Sequence, residues 1–140
     1  MFKYVLLFAI ILATNTLLKA QTDTIVNVDK AAKISQSGVF VDVEQKPEFP
    51  GGKDALIEFY KKTSNFEICN KGNSCKTIYY QIIVDDLGNV DSFNIIKGLD
   101  EKYDNETKRI VQQMPKWEPG KKGGVPVKVL VTLDIKYKIE

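Results

Sequence analysis

From Val127 onward the chain alternates. Val127, Val129, Val131, Leu133, Ile135, Tyr137 and Ile139 are apolar. Lys128, Thr132, Asp134, Lys136 and Lys138 lie between them, with Leu130 alone out of pattern. Period two held over the thirteen residues 127–139 dictates a strand with one face on a core and the other in water. Strands in globular proteins average about five to six residues, so part of this one is expected to outrun its neighbours and lie unpaired at a sheet edge. Such an edge offers N–H and C=O groups that another chain can pair with. Just ahead of the strand stands Met114-Pro115-Lys116-Trp117-Glu118-Pro119-Gly120, then the pair Gly123-Gly124. Proline fixes φ and removes a donor. Two prolines and a glycine around the only tryptophan therefore predict a fixed corner, with Trp117 as a core plug fastening it to the preceding helix.

The start of the chain has a different composition. Lys3 is followed by an apolar run from Val5 to Ala13, and Leu17-Leu18-Lys19-Ala20 leads into Gln21. This is the three-part layout of a secretory signal, cleaved after Ala20. The rival reading is a retained membrane anchor. Thr14-Asn15-Thr16 breaks the apolar run, which falls short of the roughly 20 residues a spanning helix needs. Residues 21–38 are polar and weakly patterned and predict a flexible leader, in which Ile25, Val26 and Val28 can dock as a short strand. Residues 39–140 are the expected domain. Loss of Lys3 and Lys19 takes 20 basic residues to 18, against 18 acidic ones. The exported chain is thus neutral overall, and nothing in it predicts nucleic-acid binding.

Within the domain the pattern reads strand, helix, strand, strand, helix, strand. Val39 to Glu44 predicts a strand, stopped by Pro47 and by Phe49-Pro50-Gly51-Gly52. Ala55, Leu56, Phe59 and Tyr60 recur at helical spacing and predict a helix from Lys53 to Lys62. Ile78, Tyr80, Ile82 and Val84 alternate. Asp86-Leu87-Gly88-Asn89 supplies turn chemistry, and Val90 to Lys97 completes a hairpin. Leu99, Tyr103, Thr107, Ile110, Val111 and Met114 mark one face of a second helix that Pro115 stops. The predicted fold is α+β, a small antiparallel β-sheet with two helices packed on one face.

No residue pattern in the chain predicts catalytic chemistry. The chain has no histidine, the commonest general base and metal ligand. Gly51-Gly52-Lys53 lacks the glycine spacing of a phosphate loop. Asp100, Asp104 and Glu106 read as acids enriched in a first helical turn rather than a calcium loop. The only arginine, Arg109, is read as structural, pairing with Glu106 or an acid on the sheet. Cys69 and Cys75 bracket Asn70-Lys71-Gly72-Asn73-Ser74. In an exported chain this even pair predicts a disulfide; a metal site or a redox pair is the weaker alternative. The reading is of a non-enzyme, with no cofactor and no metal.

Four groups of residues then resemble one family. Phe49-Pro50-Gly51-Gly52 followed by Ala55-Leu56 resembles the opening of the C-terminal domain of TonB-like proteins of the Bacteroidetes type. Asp86-Leu87-Gly88-Asn89-Val90 resembles its hairpin. Asp104-x-Glu106-x-x-Arg109 followed by Met114-Pro115-x-Trp117-x-Pro119-Gly120 resembles its second helix and corner. Gly124-Val125-Pro126-Val127 and the terminal strand resemble its end. The resemblance runs from about Phe40 to Tyr137 and implies a periplasmic, non-enzymatic module. Such a module captures a short extended segment of an outer-membrane receptor, the TonB box, as an added strand.

The terminal strand is then the expected partner-binding element: Val127, Lys128, Val129, Leu130, Val131, Thr132, Leu133, Asp134, Ile135 and Lys136. The partner is an outer-membrane TonB-dependent receptor or another periplasmic protein. The chain departs from the family in having no convincing anchor and no long proline-rich spacer. A full energy transducer is therefore the alternative, requiring residues 1–20 to be retained in the inner membrane. An accessory domain that forms a homodimer through the same edge is the other.

Overall fold

The computed structural model describes residues 38–72 and 74–139. The expectations for a signal at 1–20 and, Gly38 apart, a leader at 21–38 lie outside the described residues. Among the described residues, no helix is long and apolar enough to cross a membrane.

The long hairpin is the centre. Strand β2, Cys75–Val84, and strand β3, Val90–Lys97, pair antiparallel. Asp85 fixes their turn: its Oδ1 accepts the N–H groups of Leu87 at 2.9 Å and Asn89 at 2.8 Å. Burial opposes ionisation of this carboxyl, but those bonds and the Asn89 amide hold its pKa below the ordinary value. Strand β6, Lys128–Lys138, lies antiparallel on the other side of β2. Strand β1 is only Val39–Phe40, parallel to β6 at Lys128 and Val129. The sheet order is β1-β6-β2-β3. The architecture is α+β, and the expected antiparallel sheet gains one short parallel strand.

Ile78, Tyr80, Ile82 and Val84 on β2 and Ile135 and Tyr137 on β6 all face one side and are buried. Helix α1, Gly52–Thr63, places Leu56 and Tyr60 on that face, and helix α2, Glu101–Gln112, places Ile110 and Val111 there. Each such aliphatic side chain removed from water contributes roughly 1.5–3 kcal/mol. Two hydroxyl pairs sit within the apolar layer: Tyr60 with Tyr80 at 2.6 Å and Thr107 with Tyr137 at 3.0 Å. Burial pushes the Tyr60 and Tyr80 hydroxyls well above their ordinary value and that of Tyr137 to about 12. All three therefore stay neutral at physiological pH.

The acidic cluster resolves into three structural contacts. Asp100 caps α2, accepting the Tyr103 N–H at 3.1 Å. Asp104 reaches back to the Leu99 N–H at 3.0 Å, over Gly98, where any side chain would collide with its carboxylate. Glu106, buried, accepts both Nε and Nη2 of Arg109 and the Asn65 N–H at 2.6 Å. Arg109 also donates to the Thr63 carbonyl at 2.5 Å. The lone arginine thus ties the end of α1 to α2. No group of three metal-ligating side chains forms among the described residues.

Two expectations need correction. The strand predicted at Val39 to Glu44 pairs at only its first two residues. After Val41, which is exposed, the chain leaves β6. It runs instead along the tryptophan corner: Gln45 and Lys121 exchange backbone bonds at 2.8 and 3.3 Å, Glu48 and Glu118 at 2.8 and 3.0 Å. Gly120 makes this crossing possible, since an added Cβ would stand 2.6 Å from Val129 and 3.0 Å from Pro47. Second, Lys121–Lys122 and Val125–Pro126 form a small ribbon, β4 and β5, turned by Gly123 and Gly124, both at positive φ. Strand β6 accordingly begins at Lys128 rather than Val127.

Candidate functional site

The β6 ladder to β2 runs without a shift from Val129 to Lys138. At its far end Cys69 donates its N–H to the Lys136 carbonyl at 3.0 Å, and Lys138 donates to the Glu67 carbonyl at 2.9 Å. Even-numbered residues of β6 therefore aim their backbone groups away from β2. Leu130, Thr132 and Asp134 share that direction. Strand β1 reaches only Val129, and the next bridge is Ile68 with Tyr137. Between them, from Leu130 to Ile135, no strand among the described residues lies on the outer side of β6. The N–H and C=O groups of Thr132 and Asp134 are its open positions.

The edge stays open because Val41 to Glu48, which could have continued β1 along it, is bound to the corner instead. That corner is fastened at both ends. Trp117 donates its backbone N–H to the Gly88 carbonyl at 2.8 Å, and Gly88, at φ +88, has the Trp117 carbonyl where a side chain would be. The indole is buried and meets Phe49 edge-on at 5.6 Å. Its Nε1–H has no hydrogen-bond partner among the described residues. The corner is thus clamped to the hairpin turn and to Phe49, where the sequence predicts the second helix alone.

Beside the open edge runs a groove of about 500 Å³. Phe49, Leu56, Ile57 and Trp117 form its apolar wall, and Val131 and Leu133 line it from the strand. Both strand residues are half-buried on the core face. Lys53, Glu48, Asp134 and Lys136 provide charges of both signs around it. A backbone laid on the edge would find hydrogen-bonding groups on one side and apolar surface beneath alternate side chains.

Of the ten residues expected to bind a partner, Leu130, Val131, Thr132, Leu133, Asp134 and Ile135 form the open stretch. Val127 lies outside the strand, its N–H bound to the Gly120 carbonyl at 3.0 Å. Lys128 and Val129 are already paired with β1. Lys136 has given its carbonyl to Cys69. The groove wall is not foreseen by the pattern: the sequence marks Phe49 and Tyr60 as core only and does not single out Ile57 or Ile68. Helical spacing marks an apolar face without telling whether a neighbour covers all of it. The predicted disulfide between Cys69 and Cys75 is formed, with Cα atoms 6.2 Å apart.

No relative among the curated proteins matches the chain. Residues 71–139 match the family model described as the Gram-negative bacterial TonB protein C-terminal, a transport-associated, non-enzymatic family of the cell envelope. That stretch carries β2, β3, α2, the corner and β6; α1 and the groove wall it supplies lie ahead of it. With two helices on one face of a sheet whose long strands are antiparallel, and with that match over residues 71–139, the described domain is TonB C-terminal domain-like.

Proposed function

We propose that the protein is a periplasmic peptide-binding module. Residues 1–20 direct export, and the domain captures an extended segment of an outer-membrane TonB-dependent receptor. The segment adds as a strand to β6 between Leu130 and Ile135. One observation carries the reading: among the described residues, the outward N–H and C=O groups of Thr132 and Asp134 have no strand beside them and lie along an apolar groove. Main-chain bonds to these groups supply affinity, and the groove selects the side chains that point into it. The polar rim and the mixed charges orient the segment more than they hold it.

Thr132→Pro tests this directly. The Thr132 N–H points outward, so proline removes a receiving donor while leaving the β2 ladder intact; proline is tolerated on edge strands in that orientation. Thr132→Ala removes only an exposed side chain and its 3.3 Å bond from Gln81. Receptor-segment binding measured by calorimetry is expected to vanish in the proline variant and to persist in the alanine variant, with circular dichroism showing both folded. A folded proline variant that binds with unaltered affinity removes β6 as the receiving strand.

A further inference from the structure

The disulfide loop lies across one end of the proposed receiving edge, and any role it has in peptide capture rests on that reading. Ile68 bridges Tyr137, Cys69 takes the Lys136 carbonyl and Glu67 takes the Lys138 N–H. These are the outward groups that an incoming strand would use next after Asp134. Further contacts hold the loop in place: Ile139 N–H to the Ser74 carbonyl at 2.9 Å, and the Lys138 ammonium to the Glu67 carboxylate at 3.0 Å. The 67–69 segment makes a single bridge and no ladder. Within it Glu67 is exposed and Ile68 and Cys69 are half-buried, and the next residue, Asn70, is exposed. So little burial does not fix a segment by itself. The covalent tie is the stronger restraint: Cys69 is bonded to Cys75, the first residue of β2, the strand paired with β6.

We propose that this disulfide-closed loop is a length stop for the captured peptide. At about 3.4 Å per residue, the open run from Leu130 to Ile135 admits roughly 20 Å of partner strand, or about five to six residues. A longer segment has to leave the sheet at Cys69. The ligand class is therefore a short extended segment whose flanks need not be β-formers. The stop also shortens an exposed edge that would otherwise invite pairing between copies.

The probe is a series of acetylated, amidated peptides of alternating valine and threonine, of about three, five, seven and nine residues at the strand repeat. Affinity for the native protein is expected to rise up to about five to six residues and then level off, staying within about twofold at greater length. A dithiol reductant passes two electrons to the disulfide, leaving both cysteines as thiols. After that reduction, or in the C69S/C75S variant, affinity is expected to keep rising several-fold with the longer peptides. Amide exchange reads the release independently. The Cys69 and Lys138 amides should lose protection on reduction, while those of Val131 and Leu133, bonded to β2, keep theirs. Binding with an unmoved plateau, or a Lys138 amide still protected after reduction, overturns the length stop and leaves the receiving edge standing. Loss of protection throughout β2 and β6 overturns it too, by making the bond a staple of the whole sheet. No binding of any peptide to either form overturns both the edge and the stop.

Discussion

Gly88 carries no side chain because the Trp117 carbonyl occupies the place where one would go, and its φ of +88 lies where other residues are strained. Gly88→Ala must therefore push the corner off the hairpin turn. We expect a cost of about 1–3 kcal/mol, read as a lower urea midpoint with an unchanged slope. Trp117→Ala deletes the buried plug itself and is expected to cost roughly 3–5 kcal/mol. An unchanged midpoint with lost peptide binding would make Trp117 a contact residue instead. Glu106 gives a pH-dependent counterpart. The hydrogen bonds from Arg109, opposed by burial and helped by the Asn65 N–H, lower its pKa from the ordinary 4.5. A depressed folded pKa means that the unfolded chain binds more protons in the window between the two values. The stabilisation is therefore complete above 4.5 and fades as pH falls through the lower folded value. Glu106→Gln should flatten that part of the stability–pH curve, and parallel acid limbs for the two proteins would contradict the assignment. Glu58 and Asp85, also lowered, titrate in both proteins and cancel in the comparison.

At the scale of elements, the two sides of β6 differ in what they can lose. Odd-numbered residues bond to β2, so Leu133→Pro breaks a central ladder. It is expected to unfold the domain or lower its stability by about 3 kcal/mol or more, whereas Thr132→Pro spares the ladder. Equal thermal midpoints for the two variants would show that the parity is wrong. The long strands, both helices and the hairpin are legible in the sequence because their patterns are local: periods of two and 3.6 with turn residues between. Thirteen alternating residues against a two-residue β1 is the same excess that the pattern implies. What is not legible is the diversion of Val41 to Glu48. The alternation there looks like a strand, but pairing goes to residues 118–121, far along the chain, because Gly120 and Pro47 allow a close crossing. The ribbon around Gly123-Gly124 is legible only as a turn; its two-residue arms are too short to show a period.

Residues 38–139 form a small domain with one face of its sheet under two helices and, among the described residues, one stretch of edge left uncovered. Residues 71–139 match a transport-associated family, and the proposed role is peptide capture at this edge. Sequence alone places the partner strand on ten residues, and the fold narrows the open stretch to six, since β1 covers one end and the disulfide loop the other. That narrowing depends on contacts between Phe40 and Val129 and between Ile68 and Tyr137, each remote in sequence. On the proposed function, a peptide adds to β6 on its outer side. Amide hydrogen exchange of the isotope-labelled protein, with and without a receptor-derived peptide, tests it most directly. The Thr132 and Asp134 amides should exchange quickly in the free protein and become protected when the peptide is bound. Val131 and Leu133, already bonded to β2, should be protected in both. Saturating peptide that leaves Thr132 and Asp134 unprotected, with new protection confined to the opposite edge at β3, would contradict it.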